Sequence, residues 1–285
     1  MTSYDRRYDG IDPRFVFDFE ALDEPDTDTQ RWSTWLSVEP LCRGPEPRPD
    51  WVVTGQGAVD TELGILKTGK EAEVFLLERG LPGQGGVVMA AKRYKSRDHS
   101  SFHRSGAYTE GWSTRRSRDA RAVKTKTTFG REVAAGQWAN AEWQALQRFW
   151  TAGVPVPYPV QIDGTEILME FISVGDGDPA PRLAQVRPSP ELLPHYFEQL
   201  RDAMAALAAD GVAHGDLSPY NLLAADERLV IIDLPQAVDI VGNTQGMDFL
   251  MRDCANVCAW FRRRGLDPEI ADEHALFGDL MAHAF

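Results

Sequence analysis

The feature that most constrains this 285-residue chain is a change of periodicity near residue 175. Before it come short apolar runs, Leu63–Leu66, Val74–Leu77, Val87–Ala91, Val160–Ile162 and Ile167–Ile172. Turn formers separate them, among them Lys67-Thr68-Gly69-Lys70-Glu71 and Asp163-Gly164, so the runs read as antiparallel strands. One helix interrupts this half, Arg131–Trp150, with Val133, Trp138, Trp143, Leu146 and Phe149 near helical spacing and Gly153-Val154-Pro155 as its stop. A Gly-, Asp- and Pro-rich stretch, Gly175–Pro181, then marks a lobe boundary. Beyond it the period is mostly helical. Ser189-Pro190-Glu191 caps a stripe of Leu192, Leu193, Tyr196, Phe197, Leu200, Met204 and Leu207, and Gly211 follows it. Met247–Arg264 is a second amphipathic helix closed by Gly265, and Leu222–Leu223 and Leu229–Ile232 are short buried strands. Strands first and helices after predict an α+β protein with a β-rich N-lobe and a helical C-lobe, not a doubly wound sheet.

Charge divides the chain differently. Residues 1–50 hold 6 basic and 12 acidic side chains, and residues 92–131 hold 12 basic and 3 acidic, against a net charge of −13 overall. The acidic total makes general nucleic-acid binding a poor reading. The basic stretch suits an anionic partner such as RNA or a ribosomal particle, or neutralises the acidic lobes around it. The first 50 residues, broken by Pro25, Pro45, Pro47 and Pro49, read as an acidic, weakly structured extension. Within it a short helix around Arg31–Val38 would carry Trp32 and Trp35. The organisation expected is therefore an extension over 1–50, an N-lobe over 51–174 with a basic insertion at 93–130, and a C-lobe over 175–285. No run of 18 apolar residues argues for a membrane span, and no apolar stretch follows Met1–Arg7 as a secretory signal. Three cysteines, Cys42, Cys254 and Cys258, cannot build a disulfide framework, so a cytoplasmic location is expected.

The sharpest chemistry lies at His214-Gly215-Asp216-Leu217-Ser218-Pro219-Tyr220-Asn221, followed by Ile231-Ile232-Asp233. An Asp, four residues, an Asn, and then an apolar strand ending in a second Asp is a phosphoryl-transfer arrangement. The reaction needs a carboxylate near the attacking hydroxyl, a role that suits Asp216. It also needs hard oxygen ligands for Mg²⁺, and Asn221 and Asp233 supply one neutral and one charged. The competing reading is a plain turn, since all these residue types favour turns.

Lys92 ends the third strand, where such a site needs a cation on the α/β phosphates, and the following helix offers it Glu132 or Glu142 as partner. Glu142 is the better placed, one turn after Trp138 and one before Leu146. Thr68, Gly69 and Lys70 fall in the hairpin turn that would lie over the phosphates, although a single glycine is a weak sign and no Walker spacing is present. His214 is expected to orient the loop by hydrogen bonding, and Cys254 and Cys258, four apart on a helix, to pack in the core.

Taken together, these segments resemble the RIO family of atypical protein kinases, most closely its type-1 branch. Thr68-Gly69-Lys70-Glu71-Ala72-Glu73-Val74-Phe75 is similar to the family's S-T-G-K-E-A-N-V-Y loop, with Lys67 standing where that pattern has Ser. Trp138-Ala139-Asn140-Ala141-Glu142 resembles W-A-x-x-E, Met169-Glu170-Phe171-Ile172 the hinge, His214–Asn221 H-x-D-L-S-x-Y-N, and Ile231–Gln236 I-I-D-x-x-Q. Phe249–Val257, with Arg252-Asp253, resembles the helix the family places next. The resemblance spans about Leu63 to Phe261. It implies a two-lobed protein-kinase-like fold and a serine/threonine protein kinase using ATP with Mg²⁺, or Mn²⁺ in its place. It implies nucleotide contacts from Thr68, Gly69, Lys70, Lys92, Glu142, Glu170, Ile172 and Asn221, metal contacts from Asn221 and Asp233, and catalytic roles for Asp216 and Asp233. It also implies an ATPase activity that leaves phosphate on Asp233, and kinship with proteins of small-subunit ribosome maturation. The rival reading is a small-molecule phosphotransferase of the aminoglycoside or choline kinase type, which shares H-G-D-x-x-x-x-N before an I-D strand. A non-catalytic nucleotide-binding module is disfavoured by the joint presence of Lys92, Asp216, Asn221 and Asp233.

Overall fold

Gly69 opens a tight turn of the first lobe. Its N–H donates to the Ala72 carbonyl at 2.9 Å, and a Cβ at this position would stand 2.9 Å from that same oxygen. The turn joins β2 (Val59–Thr68) to β3 (Ala72–Gly80) in a computed structural model that describes residues 28–95, 128–235 and 237–284. With β1 (Gln30–Trp32), β4 (Val87–Tyr94), β5 (Pro159–Asp163) and β6 (Glu166–Glu170) they form one antiparallel sheet in the order β1-β2-β3-β4-β6-β5. The helix α1 (Thr128–Thr151) lies between β4 and β5 in sequence.

Strand alternation decides what each face meets. Met89 and Ala91 of β4 join Leu77, Val160 and Leu168 under Trp35, Val52 and Tyr158. Ala90 and Tyr94 face the other way, onto Ala135, Ala139, Trp143 and Leu146 of α1. Lys92 falls between Ala90 and Tyr94 in this period of two, which directs it toward α1.

The second lobe follows a small hairpin, β7 (Ser173–Val174) with β8 (Asp178–Pro179), which straddles the start of the expected boundary stretch. Then come α2 (Leu192–Ala209), β9 (Val212–Ala213), β10 (Leu222–Ala225), β11 (Arg228–Ile231), β12 (Val238–Asp239), α3 (Gly246–Arg264) and α4 (Glu273–Ala284). The α2 stripe is buried at Leu193, Tyr196, Phe197, Leu200, Met204 and Leu207, and α3 ends in Gly265 at φ 103°, a left-handed cap that glycine adopts without strain. Cys254 and Cys258 are buried on α3, where burial pushes both thiols up to about 12 and leaves them packing groups. The arrangement is the two-lobed α+β fold that the resemblance implies.

Two expectations are corrected, and one element is added. Residues 31–38 do not form a helix: Gln30–Trp32 pairs with Val59–Thr61 as an edge strand. Residues 28–50 are not weakly structured, because they cover the outer face of the sheet. Trp35 is buried there, the Gly44 N–H donates to the Val160 carbonyl at 2.8 Å, and the Tyr158 hydroxyl donates to the Pro45 carbonyl at 3.0 Å. The prolines instead shape an extended cover, which buries the apolar outer face of the sheet. The C-terminal helix α4 was not foreseen, and it closes the core with buried Leu276 and Leu280. Residues 1–27, most of the basic insertion (96–127), Gln236 and Phe285 lie outside the described residues.

Candidate active site

A cavity of about 550 Å³ lies between the lobes. Its floor and roof are apolar, with Val74, Ala90 and Met169 from the sheet and Leu223 and Ile232 from the second lobe. Lys92, Glu142 and Asp233 meet at one end. The Lys92 ammonium donates to Glu142 at 2.6 Å and to Asp233 at 3.0 Å. Three elements are needed for this: β4 for the lysine, α1 for Glu142, and the exit of β11 for Asp233.

Glu142 belongs to the buried α1 stripe, between Ala139 and Leu146, so its carboxylate enters the interior and needs partners there. It has two, Lys92 and the Tyr94 hydroxyl, which donates to its second oxygen. Burial opposes the charge on Lys92, but the carboxylates of Asp233 and Glu142 outweigh it and hold the ammonium well above its usual value. Burial next to Glu142 raises Tyr94 well above the ordinary phenol, so it stays a donor. The Lys92 ammonium, working against burial, holds Asp233 down at about 2. Asp233 sits at φ 68°, the left-handed region that a non-glycine residue rarely occupies.

The loop 214–221 is built from the second lobe and fixed at four points. The Gly215 and Leu217 N–H groups each donate to the Asp253 carboxylate at 2.8 Å, bracketing Asp216. The Arg252 guanidinium donates to the Gly215 carbonyl. The Asp216 N–H donates to His214 Nδ1 at 3.3 Å, so the ring proton is on Nε2, which donates to the Ile232 carbonyl at 3.1 Å. Asn221 Nδ2 donates to the Asp216 carbonyl at 2.8 Å, and the Asn221 carbonyl accepts from the Ile232 N–H at 3.0 Å. His214 therefore ties the loop to the strand end that carries Asp233, as expected.

Gly69, Lys70, Lys92, Glu142, Glu170, Ile172 and Asp233 all line the cavity. Asp216 and Asn221 do not; they stand beside it, two residues ahead of cavity-lining Leu223 in the case of Asn221. Thr68 does not reach it either. It is exposed and pairs with Glu73, beyond an irregularity in the β2–β3 register at Ile65–Lys67 that ends simple alternation.

Sequence reasoning missed several groups. Asp253 was seen only as part of a resembling helix. Its signal is an acid inside the buried run Leu250, Asp253, Cys254, Val257, where an apolar residue is the default. Lys95 ties the β4 end to the hairpin turn: its ammonium meets Glu73 at 2.6 Å and the Gly69 carbonyl at 3.2 Å, and its N–H donates to the Glu71 carbonyl at 2.9 Å. Lys67 and Arg182 also line the cavity, one from each lobe.

Comparison with known proteins agrees with this geometry. The RIO domain model matches residues 83–275. The RIO-type serine/threonine-protein kinase Rio1 of Haloferax volcanii is 38% identical over 214 residues, covering 75% of this chain and 67% of that protein. Rio1 of Methanocaldococcus jannaschii is 29% identical over 211 residues, covering 74% and 66%. The bovine serine/threonine-protein kinase RIO3 is 29% identical over 233 residues, 79% of this chain but only 43% of that protein. The small-molecule phosphotransferase reading finds no support in these matches. With the domain match covering Lys92, Glu142, the loop 214–221 and Asp233, the chain belongs to the RIO family of serine/threonine-protein kinases.

Proposed function

We propose that this chain binds ATP in the cleft and transfers its γ-phosphoryl group to a serine or threonine hydroxyl of a protein, with Mg²⁺ held by Asn221 and Asp233. The observation that carries the reading is the meeting of Lys92, Glu142 and Asp233 at one end of an apolar cavity of suitable size for a nucleotide. The adenine would lie at the other end, near Glu170 and Ile172, with the Gly69 turn over the phosphates.

The donors suit magnesium. Asp233 is held ionised and Asn221 adds an amide whose NH₂ end is already engaged by the Asp216 carbonyl, leaving oxygen chemistry for a hard cation. Among the described residues no cluster of three or more His, Cys, Asp or Glu could cage a metal alone. That fits an ion shared between one carboxylate and substrate phosphates. Bound there, the metal would neutralise charge on the phosphates.

The chain's own residues do the rest. Lys92 holds the α/β phosphates and Glu142 holds Lys92. Asp216, positioned by its anchored neighbours, orients the acceptor hydroxyl and takes its proton as oxygen bonds to the γ-phosphorus and ADP departs. For a polyanionic partner, RNA or a ribosomal particle, the support is the charge of the basic segment; for a cytoplasmic location it is the three free thiols. Among the described residues no helix is long and apolar enough to cross a membrane. The reading is tested with Lys92→Ala, Asp216→Asn and Asp233→Asn in an ATP–Mg²⁺ turnover assay with protein acceptors. Each should lower the rate about 100-fold or more through lost transition-state charge stabilisation. Wild-type turnover in all three would overturn it.

A further inference from the structure

Besides Lys70 of the hairpin turn, two cations face the cavity without serving the Lys92 cluster. Lys67 reaches it from β2, in the first lobe. Arg182 reaches it from the second lobe, where its backbone bridges to Leu223, two residues past Asn221, and the neighbouring Pro181 carbonyl accepts from the Ala224 N–H at 2.9 Å. Arg182 is thus fixed to the exit of the loop 214–221, and Lys67 to the hairpin above it.

Both line the cavity that Lys92 and Asp233 also line. Partial burial lowers Lys67 first, and repulsion from Arg182 and then Lys92 adds to it, with Asp233 pulling the other way. Lys67 therefore feels the charges of Arg182, Asp233 and Lys92. Among the described residues neither Lys67 nor Arg182 has a carboxylate within ion-pairing distance, whereas Lys92, Arg93 and Lys95 all do. Two like charges directed across a cleft from opposite lobes raise the energy of the empty site, and a multivalent anion between them removes that repulsion. Lys67 also occupies the position where the family loop pattern has Ser.

We propose that Lys67 and Arg182 form a cross-cleft clamp for the polyphosphate end of a nucleoside triphosphate, beyond the phosphates that Lys92 holds. The inference deepens the ATP reading and rests on it for the identity of the anion. The clamp distinguishes a triphosphate from a monophosphate, because only the longer chain reaches both cations. It also couples lobe approach to phosphate binding, since one cation rides on each lobe.

The experiment compares wild type with Lys67→Ser, Arg182→Gln and the double variant. ATP, AMP and inorganic tripolyphosphate are titrated separately by calorimetry at fixed Mg²⁺ and low salt. Each single variant should weaken ATP and tripolyphosphate about 10-fold, near 1.4 kcal/mol, while AMP is unchanged. The double variant should lose less than the sum, as expected of groups sharing one ligand. Unchanged ATP and tripolyphosphate affinity in both single variants overturns the clamp. Equal loss of ATP and AMP also overturns it, because the two residues would then shape the cavity rather than read phosphate. Failure of wild type to bind ATP would defeat the functional reading instead, and the tripolyphosphate arm still decides the clamp: absence of binding, or binding that the variants retain, refutes it.

Discussion

Asp253 offers a prediction in which two large effects oppose each other. The residue is buried on α3, and burial raises its carboxyl to about 6 from 3.8 despite His214 and the Gly215 and Leu217 N–H groups. A shift of about two units corresponds to roughly 3 kcal/mol, on the order of the cost of keeping this group charged at neutral pH. The sign follows from proton binding. The folded carboxyl holds its proton up to pH 6 and the unfolded one only to 3.8. Its contribution to stability is therefore fully present below pH 3.8 and lost as pH rises through 6. Asp253→Asn removes this charge but turns an NH₂ group toward one of the two loop N–H donors, leaving it unsatisfied at a cost of about 1–3 kcal/mol. The two effects nearly cancel, so unfolding free energy at pH 7.5 should change by less than about 1.5 kcal/mol. Turnover should not be spared, because the lost bond frees Gly215 or Leu217, the neighbours that hold Asp216. A fall of about 100-fold in kcat with little change in ATP KM is expected, since misplacement of about 1 Å has that effect. Chemical denaturation between pH 4 and 7 and steady-state turnover measure both. Stability within that window joined to wild-type kcat would refute the claim that Asp253 positions the loop. An unaltered pH slope of stability in the variant would refute the assignment of that slope to Asp253.

Further tests address the neighbouring groups. Glu142→Gln keeps the shape of the side chain but removes the charge facing Lys92, so ATP turnover should fall at least 10-fold while the fold persists; equal turnover would show that Lys92 needs no anionic partner. Lys95→Ala removes the contacts to Gly69 and Glu73, and should raise the ATP KM about 3- to 10-fold with kcat little changed, with Lys95→Arg restoring it; a fall in kcat alone would contradict a role in shaping the turn. Incubation with ATP and Mg²⁺ without a protein acceptor should give slow hydrolysis or self-labelling. Hydroxylamine-labile phosphate absent from Asp233→Asn would mark Asp233 as acceptor, acid-stable phosphate would mark Ser or Thr, and neither product under binding conditions would contradict turnover without substrate.

Much of the fold is written locally. Alternation at Val87–Ala91, the helical stripe from Leu192 to Leu207 and the stop at Gly265 each depend on neighbours a few residues away, and each appears where the periodicity puts it. The choice of Glu142 over Glu132 was also local, because only its phase on α1 was needed. The motif residues named themselves by type and order, with Asp216, Asn221 and Asp233 following Lys92 along the chain.

Only the tertiary structure decided the rest. The Arg31–Val38 stretch has apolar spacing that suits a helix, but the sheet had an unpaired edge and an uncovered apolar face, and pairing with β2 and burial of Trp35 outweighed local preference. The fully buried Arg79 is satisfied by Asp60, 19 residues away, and by Gln161, 82 away, a network no local pattern announces. Asp253 reaches the loop at Gly215 from 38 residues away, and Lys92 meets Asp233 across 141. Lys67 and Arg182 are ordinary surface cations in sequence and line one cavity only when two lobes face each other. Charge and hydrogen bonding act through space, so the sequence determined which groups were available, and the packing of the lobes determined which of them met.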